Sequence, residues 1–186
     1  MKQLLDQEKI RESKEFFDRI HQVEVDYLKY WQEHTVWHWD FWLSWLLAIL
    51  PWVIWFLVRK RGSEGRLLLA GSFGLIIASW LDFLGLVFGS WHYTGRALPT
   101  IPTYIPWDFS LVPVTLMLWL QYKPNLNPLL KAVIYSALTS FIGEPLFEWL
   151  GFYSPIKWSV FYSFPIYIVI YLIAYRISRA KTFEPL

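Results

Sequence analysis

Asp82 and Glu144 are carboxylic acids set inside two runs of residues otherwise apolar enough to span a bilayer. A charge at that depth is expensive, so such a residue usually marks a functional site. Two acids in one cavity can share a proton and titrate as a pair. They could then serve as a proton relay, a general acid or the counter-charge of a cationic ligand. Both are read here as candidate catalytic residues. Other polar and aromatic groups fall toward the same end of the spans, and six of these are candidate ligand contacts: Trp80, Tyr104, Trp107, Asp108, Glu148 and Trp149. Most of the remaining tryptophans there, including Trp37, Trp42 and Trp158, are accounted for by an interfacial aromatic belt. His34 and His38 are four apart with Asp40 nearby, a spacing compatible with a divalent ion. Four histidines in the chain are too few for a His-rich di-iron oxidase, so no metal and no cofactor is assigned.

These groups need a scaffold, and composition names its class. The 186 residues are 55% hydrophobic and include 13 Trp, too greasy for a soluble domain of this size. The expected fold is an all-α integral membrane protein, a bundle of about five transmembrane helices. The absence of cysteine excludes disulfides and thiol chemistry. Residues 1–36 differ from the rest. The first 33 carry six Lys or Arg and eight Asp or Glu, with Phe16, Phe17, Ile20, Val23 and Tyr27 at roughly helical spacing. That pattern predicts a charged amphipathic helix lying at the interface. Residues 37–178 form the bundle and 179–186 a short tail.

Five apolar segments cover residues 41–58, 67–90, 109–122, 129–150 and 159–176. The third is the shortest and carries Pro113 early, which predicts a tilted or broken helix. In the second, Gly71, Gly74, Ala78, Asp82, Gly85 and Gly89 recur at spacings of three or four and so form one stripe. Small residues let helices approach closely, which turns Asp82 toward protein and away from lipid. Ala132, Ser136, Ser140 and Glu144 repeat the pattern in the fourth segment. Pro145 then removes a backbone hydrogen bond and frees the Phe141 carbonyl. Such stripes pack helices within one chain or between copies, which leaves a homo-oligomer open. The connection from Trp91 to Trp107 holds Pro99, Pro102 and Pro106 and reads as a stiff strap over the acidic end, either a lid or a shield for the rim.

Basic residues set the expected orientation. Nine lie on one side (Arg59, Lys60, Arg61, Arg66, Lys123, Lys131, Arg176, Arg179, Lys181), against Arg96 and Lys157 in the opposite short loops. The positive-inside rule then places the C-terminus in the cytoplasm and the N-terminus outside.

Several segments carry a family likeness: 81–85 (LDFLG), 106–108 (PWD), Pro113-Val114, Gln121-Tyr122, 144–147 (EPLF) with Trp149, and 162–167 (YSFPIY). Over residues 37–178 the chain resembles a family of small multi-spanning membrane proteins of endospore-forming bacteria. The resemblance implies an inner-membrane helical protein linked to spore physiology and supplies no activity. The residues themselves support an aromatic and acidic pocket for an amphiphilic, lipidic or cationic small molecule. One alternative is an acid–base enzyme acting on a lipid or isoprenoid, with Glu144 or Asp82 as proton donor. The other is a scaffold without ligand. The expected partners are the bilayer and that small molecule; no nucleic acid is expected. The lack of a phosphate-binding glycine loop argues against an ATP-driven pump, and the lack of an internal repeat weakens a secondary transporter.

Overall fold

The computed structural model describes residues 4–99 and 103–180. Its elements in chain order are α1 (Gln7–His34), α2 (Trp39–Val58), α3 (Glu64–Val87), β1 (Trp91–Tyr93), α4 (Val112–Gln121), α5 (Pro128–Leu138), α6 (Glu144–Trp149), β2 (Tyr153–Pro155) and α7 (Val160–Ser178). A π-helical turn, Pro106–Leu111, leads into α4, and a second, Thr139–Gly143, joins α5 to α6.

Among the described residues four helices are long and apolar enough to cross a membrane: Trp39–Val58, Glu64–Val87, Pro128–Trp149 and Val160–Ser178. The most apolar of them, α2, is only 11% buried within the bundle, so its outer face suits hydrocarbon. The expected count of five is thus corrected to four. The third segment is helical, but its six π and ten α residues reach about 24 Å at 1.5 Å per residue, short of the ~30 Å core. Its side chains explain the difference. Val112, Val114, Leu116 and Met117 are fully buried, so α4 is a central post with the longer helices around it.

The small-residue stripe of α3 receives this post. A Cβ on Gly71 would meet the Met117 side chain at 2.7 Å, and one on Gly74 would meet Leu116 at the same distance. Pro113 has no N–H to give the Phe109 carbonyl, and the Trp52 indole of α2 donates to that oxygen instead, at 2.9 Å. Lys131, counted above among loop charges, is 2% exposed. Its ammonium donates to the carbonyls of Tyr122 at 2.6 Å and Leu120 at 3.4 Å, satisfying the end of α4.

At the opposite end two glycines redirect the chain. Gly89, with φ of 61°, ends α3: Ser90 N–H reaches back to the Gly85 carbonyl at 2.8 Å. Gly151, with φ of 80°, ends α6 in the same way, Phe152 N–H bonding the Phe147 carbonyl at 2.9 Å. Both are Schellman-type ends that favour glycine. Each launches a strand, and β1 and β2 pair antiparallel with Trp91 opposite Pro155 and Tyr93 opposite Tyr153. The all-α expectation contained no such ribbon.

The first helix keeps its expected character. The Asp6 carboxylate caps it by accepting from Glu8 N–H at 3.2 Å, no residue of it is buried, and Phe16, Phe17, Ile20 and Val23 are exposed. Near its C-terminal end the Trp31 indole donates to the Arg96 carbonyl at 2.7 Å.

Candidate functional site

A cavity of about 210 Å³ lies at the ribbon end of the bundle between α3 and α7. Asp82, Asp108 and Glu144 line it together with Trp91, Tyr93, Trp107, Tyr153, Trp158 and Tyr167. Among the described residues, none that lines it is basic. Leu84 and Phe88 on its rim are 41% and 71% exposed on the outer surface of α3, so the opening faces sideways.

Each acid is delivered by a local irregularity or a small-residue face. Asp82 follows the α3 stripe inward and is 4% exposed. Gly85, one turn on, leaves room for the Trp91 indole, whose ring atoms occupy the space a Cβ would take. Asp108 sits inside the first π turn and Glu144 directly follows the second. At the second turn Glu144 N–H bonds the Thr139 carbonyl, five residues back, so the expected proline kink is absorbed as a π bulge. Such bulges rotate the residues that follow and recur at functional sites.

The acids differ in how they are satisfied. Asp82 Oδ1 accepts from the Trp91 indole and from the Tyr93 hydroxyl, both at 2.7 Å. Asp82 Oδ2 and Asp108 Oδ2 both accept from Tyr104 N–H, at 3.0 and 3.1 Å, so one donor holds the two carboxyls side by side. The two aspartates thus form one local cluster around the Tyr104 amide. Glu144 is different. Among the described residues its one hydrogen-bond donor is the Ser163 hydroxyl at 3.0 Å, itself held by the Trp158 indole at 2.8 Å.

The described parts of the strap are tied to the acids. Trp91 and Tyr93 in β1 hold Asp82, and Tyr93 stacks on Tyr104 with centroids 4.7 Å apart. Burial first, and then the nearby Asp82 and Asp108 carboxylates, push the Tyr93 phenol well above its ordinary pKa, which keeps it a donor. Burial also raises Tyr104 and Tyr153. Pro102 of the strap lies outside the described residues.

Of the residues singled out in the sequence, Asp82, Trp107, Asp108 and Glu144 line the cavity. Tyr104 does not line it; its backbone N–H binds both aspartates from behind, and its hydroxyl meets Ser44 at 3.0 Å. Trp80, Glu148 and Trp149 do not line it: all three are exposed, Trp80 at 61% and Trp149 at 80%. Trp80 precedes Asp82 by about 200° of helix rotation, and Glu148 and Trp149 stand at the rim where α6 ends. Sequence reasoning missed Tyr93, Trp91 and Ser163 as partners of the acids. Ser163 lies in the serine-proline segment already noted for its likeness, and Trp91 with Tyr93 in the strap. Their pairing with particular acids had no local signal. His34 bonds the Tyr30 carbonyl at 3.0 Å, and no group of three or more His, Asp or Glu among the described residues is arranged to hold a metal ion.

Fold and site together define a class, a helical bundle with four helices long and apolar enough to cross a membrane and an acidic, aromatic cavity among them. No family model, curated protein or solved structure matches the chain.

Proposed function

We propose that the cavity binds a small amphiphilic organic cation, with Glu144 as its principal counter-charge and the Asp82–Asp108 pair as a second. One observation carries this reading: three carboxyls from three segments face one aromatic-walled space with no basic side chain among its described lining residues. An ammonium group there gains from the indole and phenol faces as well as from charge, each cation–π contact contributing about 0.5 to 2 kcal/mol. The protein sits in the inner membrane of an endospore-forming bacterium as a relative of the small multi-spanning family, with its basic end in the cytoplasm and its acidic end outside.

The test compares a short alkyltrimethylammonium with its uncharged tert-butyl isostere, binding each to the purified protein by calorimetry. The expected result is a preference of about tenfold or more for the cation, erased by Glu144→Gln. Equal binding of the two ligands, or a preference that survives Glu144→Gln, removes the proposal. Glu144's single donor also favours a second reading, a general acid toward a lipid or isoprenoid double bond. In that case Glu144→Gln abolishes turnover of an isoprenoid substrate while leaving its binding intact.

A further inference from the structure

A second and larger space, about 940 Å³, runs along the outward side of α4 between α2 and the α5–α6 arm. Its walls are mostly apolar, with Leu47, Leu111, Leu118 and Leu138 among them, and no acidic residue lines it. Lys60 and Lys123 stand at one end together with Gln121 and Tyr122. Trp107 and Phe147 close the other end, and both also line the acidic cavity, so the two spaces share a wall.

We infer that this groove is a binding site for an anionic phospholipid of the leaflet at the basic end. Lys60 and Lys123 hold the phosphate, and one acyl chain lies along α4 with its tip against Trp107. Three observations carry this. First, the charge is complementary: both lysines are exposed, and among the described residues neither has an acidic partner within ion-pair distance. Second, the length fits. From Trp107 to Gln121 the helix rises about 21 Å, enough for the ~15 Å hydrocarbon depth of one leaflet plus the headgroup zone. Third, α4 is recessed behind its neighbours, so a chain there is contacted from α2, α4 and α5 at once instead of from one side, as an annular lipid would be. Anionic headgroups and a basic helix end are mutually attractive in any such leaflet. This site does not depend on what the acidic cavity binds.

The test equilibrates the purified full chain in detergent with equal amounts of phosphatidylglycerol and phosphatidylcholine of identical chains, and counts bound lipid by native mass spectrometry. The expected result is an excess of about tenfold of the phosphatidylglycerol-bound form. The double variant Lys60→Glu/Lys123→Glu brings the two forms to parity, and Leu118→Trp, which fills the groove, lowers both. The surface double variant leaves the core untouched, so its result stands even if Leu118→Trp fails to fold. A preference unchanged by the charge reversal overturns the inference, and so does full lipid occupancy in folded Leu118→Trp. Phosphatidylcholine bound as well as phosphatidylglycerol by the wild type also overturns it.

Discussion

The paired arrangement of Asp82 and Asp108 separates two substitutions at the same position. Asp82→Ala strands two donors, the Trp91 indole and the Tyr93 hydroxyl, both held at 2.7 Å, while Tyr104 N–H keeps Asp108 at 3.1 Å. Each donor left without an acceptor in a buried setting costs about 1 to 3 kcal/mol. Two of them give about 2 to 6 kcal/mol, from which the relief of no longer desolvating a carboxyl is subtracted. Asp82→Asn is a different perturbation. Its amide oxygen can accept from Trp91 and Tyr93, and its NH2 can donate to the neighbouring Asp108 carboxyl. The expected cost is below about 1 kcal/mol. The assay is reversible unfolding in mixed micelles followed by tryptophan fluorescence, with both variants against the wild type. Alanine is expected to be less stable than asparagine by about 2 kcal/mol. If the two fall within ~0.5 kcal/mol, or asparagine is worse, the account of Asp82 as the acceptor that holds Trp91 and Tyr93 is wrong.

Gly85→Ala places a methyl group where the Trp91 indole lies, and overpacking of that kind costs about 1 to 3 kcal/mol, measurable as a lower melting temperature. The same substitution at Gly65, which has nothing within 4 Å, should leave the melting temperature unlowered and serves as the control. The raised pKa of Tyr93 sets an alkaline limit. Because the folded value lies above the free phenol's ~10, the group's stabilisation is intact below about pH 10 and is lost as pH rises beyond it. Near-ultraviolet circular dichroism across that range should show a shallower loss for Tyr93→Phe than for the wild type. Identical alkaline limbs would assign the effect to other tyrosines.

What the sequence determined about this protein follows from interactions of short range. Helix periodicity places Gly71, Gly74, Ala78, Asp82 and Gly85 on one face whatever surrounds them, which is why the inward direction of Asp82 was legible. The apolar runs and the exposed amphipathic α1 were legible for the same reason. Tertiary structure decided the rest. The residue that shares the Tyr104 amide with Asp82 is Asp108, from a π turn in which the Trp52 indole donates to the Phe109 carbonyl. Glu144 shares the cavity but has its own partner, Ser163, on a helix that passes by only after the chain has turned at Gly151. The third apolar segment became a buried post because the α3 glycines could admit it, and Lys131 turned inward because α4 ended beside it with open carbonyls. Hydrogen bonds between side chains distant in sequence depend on which helices pack together. No local pattern carries that information.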